Sequence, residues 1–489
     1  MMVSEIDLET NSTMPMPNSG NPLLKNWQIW GFGIGNFGYG ALSQIMASFF
    51  VFYATAVLGL SGTIIGFIVG ISVFWDAISD PIMGYLSDFT VNKRFGRRHL
   101  YLWIGCLTMV IFNLVLWNLS SALPSWLLVT LLALTLLLIK TATTIYGTPY
   151  SALGAEMTHD HVQRTKVQSI RMTFFMLGIF FATAISMLVF FKASPEFPIG
   201  QLNPASYRNM SVVTSVILLI SGLSAIYSTN HLIPSLNKRV VESSDMSVKN
   251  FFMQMTNAFK HSDLRVVIIG YLFTNLAAAI LNGVGLHVYT YTFMMGSSAV
   301  ALVAGGQLLI AVCSQPFWLW LNKHQDKVVS IRLGLTLSMV ASVYFTVCVL
   351  FKDFTIAHLW ILIPFVILGG IGSGGLFTLP QAMVADAVDE NALNTGNRQE
   401  GVYYGALTLS YKLSQSIAIF FIGIFVDVVG FDSGLSVQSE FTTMTLGIFM
   451  GIGTLLAFWG ARKSYKHYKI TRERLKDIHE GLLVRDQAL

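Results

Sequence analysis

The sequence predicts an all-α polytopic membrane protein of twelve transmembrane helices in two bundles of six. Three observations predict it. Of 489 residues only 11% are charged and 54% are hydrophobic, whereas soluble domains carry roughly 25% charged residues. Apolar runs of about 20 residues, each long enough to cross a hydrocarbon core about 30 Å thick as a helix, recur along the chain. Strands of a membrane barrel would alternate instead of giving unbroken runs. The longest polar connection, from about Pro234 to Asp263, falls between the sixth and seventh runs.

Residues 1–26 carry the polar SEIDLETNSTMPMPNSGNP, and no small-residue cleavage pattern follows. They read as a disordered cytoplasmic tail, not a cleaved signal peptide. The N-terminal bundle, 27–234, contains spans near 28–55, 62–88, 99–119, 125–150, 168–192 and 211–234. The connection at 235–262 holds VKNFFMQMTNAFKH, whose pattern fits an amphipathic helix on the membrane surface. The C-terminal bundle, 263–463, contains spans near 264–291, 298–321, 329–351, 357–386, 401–427 and 440–462. Residues 464–489 follow as a basic cytoplasmic tail.

Lys and Arg fix the orientation. They gather in KRFGRR (93–98), His159 to Arg171, Lys238 to Arg265, Lys323 to Arg332, the loop with Arg398 and the C-terminal tail, against only Lys192, Arg208 and Lys352 on the other side. Basic loops stay cytoplasmic, so both termini are expected in the cytoplasm, with the chain in a plasma membrane of bacterial type. The net charge of +5 is thereby an orientation signal and not a nucleic-acid patch. Cys106, Cys313 and Cys348 fall within spans and read as small core residues. The glycine clusters GFGIGNFGYG and GGIGSGG also lie within spans, without the Lys-Ser/Thr of a phosphate loop, and read as close packing and bending points. Neither an enzyme nor a resident cofactor is expected.

Ionisable groups inside spans are costly and face the protein interior. Setting aside the cytoplasmic ends of spans, they are Asp76, Asp80, Lys140, His287 and Lys412, with Asp427 near an outer end. Asp76 and Asp80 share one helix face. Such a pair holds a cation, is neutralised by a basic side chain, or keeps a proton. A plainer reading has Asp80 serving loop groups beside a helix break at Pro81. Lys412, with Thr408 and Ser416 four residues to either side, suits a polyol or an anion, or pairs with an acid. Trp75, Tyr150, Asn282, Phe377 and Gln381 are candidate pocket residues. His287 either relays protons or makes an interhelical hydrogen bond.

Three motifs carry a resemblance. GYLSDFTVNKRFGRRHLYL resembles the loop between helices two and three of major facilitator transporters, with Asp88, Arg97 and Arg98 in its gating positions. WDAISDPIMG resembles the helix-two signature of the glycoside-pentoside-hexuronide/cation symporters, the melibiose permease family. MVADAVDENALNTGNRQEGVYYGALTLSYKLSQS resembles that family's helices ten and eleven, with Arg398 and Lys412 in place, and EMTHDHVQRTKVQSIR matches between helices four and five. The resemblance implies the major facilitator fold, a sodium or proton site at Asp76, Asp80, Ser79 and Thr144, and substrate contacts from Arg171 and Lys412. Thr408, Lys140, Trp75, Asn282, Phe377 and Gln381 complete the expected substrate set. The implied activity is symport of a sugar, glycoside or uronide with a co-transported Na+ or H+, by a monomer. Animal lysophospholipid carriers share the broader family, and a non-transporting sensor is a further alternative.

The chain departs from the family at informative places. Tyr39 and Gly40 stand where a galactoside-binding Lys-Asp pair is expected, Ala56 follows Thr55 in place of an acid, and Gly147 replaces a helix-four aspartate. Lys140 appears seven residues before Gly147, on about the same face. Acids lost and a base gained favour an anionic or weakly polar ligand such as a uronide. In the alternative role Lys140 is an internal counter-ion for Asp76 or Asp80, which weakens sodium coupling in favour of protons or facilitated transport.

Overall fold

A computed structural model of the protein describes residues 24–90, 92, 94–158, 160–234, 259–396, 400–435 and 437–488. The tail expected at 1–23, most of the segment expected to hold the surface helix (235–258) and Arg398 lie outside the described residues. Twelve helices among the described residues are long and apolar enough to span a membrane. They are α1 (Asn26–Val57), α2 (Gly62–Phe89), α3 (His99–Trp117), α4 (Ser125–Glu156), α5 (Val162–Phe190), α6 (Pro204–Leu232), α7 (Ser262–Thr292), α8 (Ser297–His324), α9 (Lys327–Leu350), α10 (Leu359–Thr395), α11 (Glu400–Val428) and α12 (Glu440–Tyr465). A further helix, α13 (Arg472–Ala488), follows.

Hydropathy finds the apolar middle of each helix, while caps and polar turns set the true ends. Asp160 accepts a hydrogen bond from the Gln163 amide and starts the helix well before the expected residue 168. Asn203 caps α6 with Pro204 in the first turn, so α6 begins ahead of the expected residue 211. Beyond residue 386, α10 continues to Thr395, where Gly396 at φ 79° adopts the left-handed conformation that only glycine takes cheaply. Pro81 does not break α2 as expected; the helix continues through it to Phe89. A proline removes one hydrogen bond from a helix, and packing on both sides holds this one together.

α1 packs on α5 and α6, α3 on α4 and α6, and α2 on α4; correspondingly α7 packs on α11 and α12, α9 on α10 and α12, and α8 on α10. Across the two sets, α2 meets α11 and α1 meets α7. Twelve crossings bring Asn26 and Tyr465 to one face, called here the terminal face. Gly62, Gly66 and Gly70 line the side of α2 that meets α11. A Cβ on Gly66 would stand 2.9 Å from the Phe420 carbonyl oxygen, while one on Gly70 would have 3.7 Å to the Ser416 hydroxyl. Small residues at this spacing let backbones touch, and the seam loosens toward the terminal face.

The C-terminal segment, expected only as a basic tail, is docked. The Lys469 amide donates to Asp263 of α7 (2.6 Å), the Arg472 amide to Asp326 before α9 (3.0 Å) and Tyr468 Oη to Asp386 of α10 (3.2 Å). Burial and the Asp386 charge push the Tyr468 hydroxyl well above its ordinary range, so it serves as a donor. Ile470 and Ile478 are buried. Removing residues 467–489 is therefore expected to lower the melting temperature in detergent by roughly 5 °C. An unchanged fluorescence-detected melt would mean that the segment carries no stability.

Candidate functional site

α2 and α4 run parallel, so residues one turn apart on each face each other rung by rung. On the first rung, Lys140 Nζ lies 3.4 Å from Asp76 Oδ2. On the second, Thr144 Oγ1 donates to Asp80 Oδ1 at 2.8 Å, and it also lies 3.4 Å from Asp76 Oδ1. Ser79 donates to the Asp76 carbonyl at 3.4 Å and lies 3.4 Å from Thr144 Oγ1. From α11, across the interface between the two sets of helices, Lys412 Nζ reaches Asp80 Oδ2 at 2.5 Å, the Asp76 carbonyl at 3.2 Å and Asp76 Oδ2 at 3.9 Å. Two carboxylates and two ammoniums thus form one cluster whose charges cancel. Burying any one of them unpaired would cost several kcal/mol.

The expected substrate residues fall into separate groups. Trp75 Nε1 donates to Thr141 of α4 at 2.9 Å, next to Lys140. Thr408, Phe377 and Gln381 are exposed on the terminal-face side of α10 and α11, where Tyr404 Oη donates to the Gln381 carbonyl at 3.2 Å. Asn282 is occupied between α1 and α7, accepting from Gln44 Nε2 at 3.0 Å and Ser48 Oγ at 3.3 Å. Arg171 Nη1 donates to Ser151 at 3.0 Å, its guanidinium stands 6.0 Å from the Tyr150 ring centre, and its Nε is buried without a hydrogen-bond partner.

Tyr39 stands where a sugar ligand is expected, and it fills the space beside Gly147. Its hydroxyl stands 3.0 Å from where a Cβ on Gly147 would be, and its ring packs beside Tyr146 and Phe175. A tyrosine on α1 therefore occupies the volume that a side chain on α4 would need.

At the terminal face, Arg98 pairs with Asp88 and with Glu156 of α4 (2.7 Å), and Arg97 with Glu156 (3.0 Å). These ion pairs join gating candidates to acids of the first set of helices, and the sequence gives no sign of Glu156, their shared acceptor. At the far face the contacts cross between sets. Asp427 of α11 accepts hydrogen bonds from Ser61 Oγ (2.6 Å) and from the amides of Gly62 (2.7 Å) and Thr63 (2.8 Å), capping the N-terminus of α2. His287 Nε2 meets Thr55 Oγ1 at 2.8 Å, with the ring between Phe52 and Phe431, so the interhelical hydrogen bond is the role its geometry displays. Among the described residues, cross-set polar contacts lie at mid-membrane or toward the far face.

A family model described as MFS/sugar transport protein matches residues 31–472. An uncharacterized symporter of Synechocystis is 24% identical, over 93% of this chain and 96% of its own length. The sodium-dependent lysophosphatidylcholine symporter 1 of Gallus gallus is 23% identical, over 92% and 88%. The inner membrane symporter YicJ of Escherichia coli is 21% identical, over 92% and 94%. Among solved structures, the nucleoside transporter NupG superposes with a TM-score of 0.61 at 13% identity, covering 90% of this chain and all of that one, which is a likeness of fold.

Proposed function

The chain belongs to the MFS/sugar transport protein family, and from that premise we propose that it carries a sugar, glycoside or uronide by alternating access, coupled to a cation at Asp76, Asp80, Ser79 and Thr144. The terminal face is the cytoplasmic one in this reading. Family membership makes it a transporter of the major facilitator type, not an enzyme. What supports a carbohydrate is Arg171. Its guanidinium keeps a buried Nε free of protein partners and sits beside the Tyr150 ring. A fixed donor fork against aromatic faces suits a ring bearing hydroxyls or a carboxylate.

A second reading has its own observation. An apolar groove of 360 Å³ opens between α2 and α11, lined by Phe67, Ile71, Phe74, Ile417, Phe420 and Phe421, and it reaches the seam at Gly70 and Ser416. An acyl chain would fit such a surface, as an amphiphile carrier requires.

A thermal-shift screen of neutral glycosides, uronic acids and lysophospholipids separates the two, because a ligand of the folded state raises its apparent stability. Uronic acids are expected to stabilise most, and Arg171→Gln to lose that stabilisation while melting near the parent temperature. Stabilisation by lysophospholipid alone would transfer the assignment to the second reading. Uptake into proteoliposomes under an imposed ion gradient then tests transport itself, and saturable binding with no flux under any gradient would point to a sensor.

A further inference from the structure

We propose that Lys140 is a tethered cation: its ammonium stands in the position a co-transported sodium ion would occupy beside Asp76, so the protein works without sodium. This rests on reading Asp76 and Asp80 as the cation site. Charge counting carries it first. Asp76 and Asp80 bring two negative charges and Lys412 one positive, which leaves one negative charge for a single monovalent cation. Lys140, 3.4 Å from Asp76 Oδ2, supplies that charge from the protein. Among the described residues no third carboxylate pairs with either ammonium, and Ala56 and Gly147 stand where the family's further acids are expected. An added sodium ion would leave the cluster with a net positive charge at membrane depth, where an uncompensated charge is expensive.

Oxygen accounting agrees. Asp76 Oδ2 faces Lys140 and Lys412, Asp76 Oδ1 and Asp80 Oδ1 face the Thr144 hydroxyl, and Asp80 Oδ2 holds Lys412. Three of the four carboxylate oxygens already have a donor, and Asp76 Oδ1 competes with Asp80 Oδ1 for the single proton of the Thr144 hydroxyl. The two lysines are unequal, however. Lys412 sits at 2.5 Å from its acid and bonds a backbone carbonyl as well, whereas Lys140 has one contact at 3.4 Å on a side chain about a quarter exposed. A flexible four-carbon stem lets an ammonium take or leave such a position. Lys140 is the arm that a metal ion would have to displace.

The test uses the purified full-length protein and sodium itself as the probe, in melts with NaCl against equal choline chloride. Wild type and Lys140→Arg are expected to respond equally to the two salts. Lys140→Gln and Lys140→Met are expected to gain a saturable, sodium-specific stabilisation with an apparent affinity at least about tenfold above wild type. Adding Asp76→Asn to Lys140→Gln should remove it. Saturable sodium binding by wild type that Asp76→Asn abolishes would overturn the role of Lys140 and leave the cation site standing. Folded, monodisperse Lys140→Gln and Lys140→Met with no sodium response would overturn it too. A sodium response that survives Asp76→Asn in the double variant would place the ion elsewhere and overturn both readings.

Discussion

Replacing Asp76 with asparagine is expected to abolish gradient-driven accumulation and to destabilise the protein, while the double variant Asp76→Asn, Lys140→Gln recovers stability without recovering accumulation. The single change strands the Lys140 ammonium. Removing one partner of a fully buried pair costs about 3–5 kcal/mol; with Lys140 26% exposed the figure falls to roughly 2 kcal/mol. Removing both partners restores neutrality, so most of that loss should return. Melting curves of the two single variants and the double variant form a thermodynamic cycle that isolates the pair. Additive losses would mean that Lys140 and Asp76 do not interact, and unchanged uptake in Asp76→Asn would remove Asp76 from the mechanism.

The far-face latch gives the second large effect. Asp427→Ala removes a carboxylate that accepts three hydrogen bonds at 2.6 to 2.8 Å and caps α2. Hydrogen bonds to a charged group are each worth roughly 1.5–3 kcal/mol, but water re-solvates the freed donors once the face opens. A net shift of about 2 kcal/mol is expected, or about thirtyfold in the population open at the far face. A single cysteine at Ser433, which lines the small pocket beside the latch, should become a faster target for a membrane-impermeant thiol reagent in the Asp427→Ala background. Equal labelling rates would show that the latch does not hold that face. Asp427→Asn should give a smaller shift, since it keeps acceptor capacity and loses the charge opposite the helix N-terminus.

Much of the fold is legible in the sequence because a membrane demands long apolar helices and punishes charge within them. Twelve apolar runs therefore locate twelve helices, and five embedded ionisable residues include every member of the charge cluster. Partners are less legible. That Asp76 and Lys140 share a rung depends on the parallel alignment of α2 and α4, and that Tyr39 fills the space above Gly147 depends on α1 approaching α4. Both are tertiary facts with no local signature. Glu156 hid at the end of a helix that hydropathy stopped at residue 150. The docking of residues 468–478 is hidden for a related reason, as two of its anchors are backbone amides that any sequence would supply.

The position of Asp76 along α2 has a mechanical consequence. At 1.5 Å per residue, Asp76 lies about 21 Å from Gly62 and about 20 Å from Phe89, at the midpoint of the helix. Rotating one half of the molecule against the other by on the order of 15° about that level displaces each end of α2 by roughly 5 Å. Such a stroke separates Asp427 from the amides it caps, yet it scarcely moves the carboxylates from Lys412. The charge cluster sits at the fulcrum of a lever whose arms are nearly equal, so a change of one charge there weighs on both gates at once.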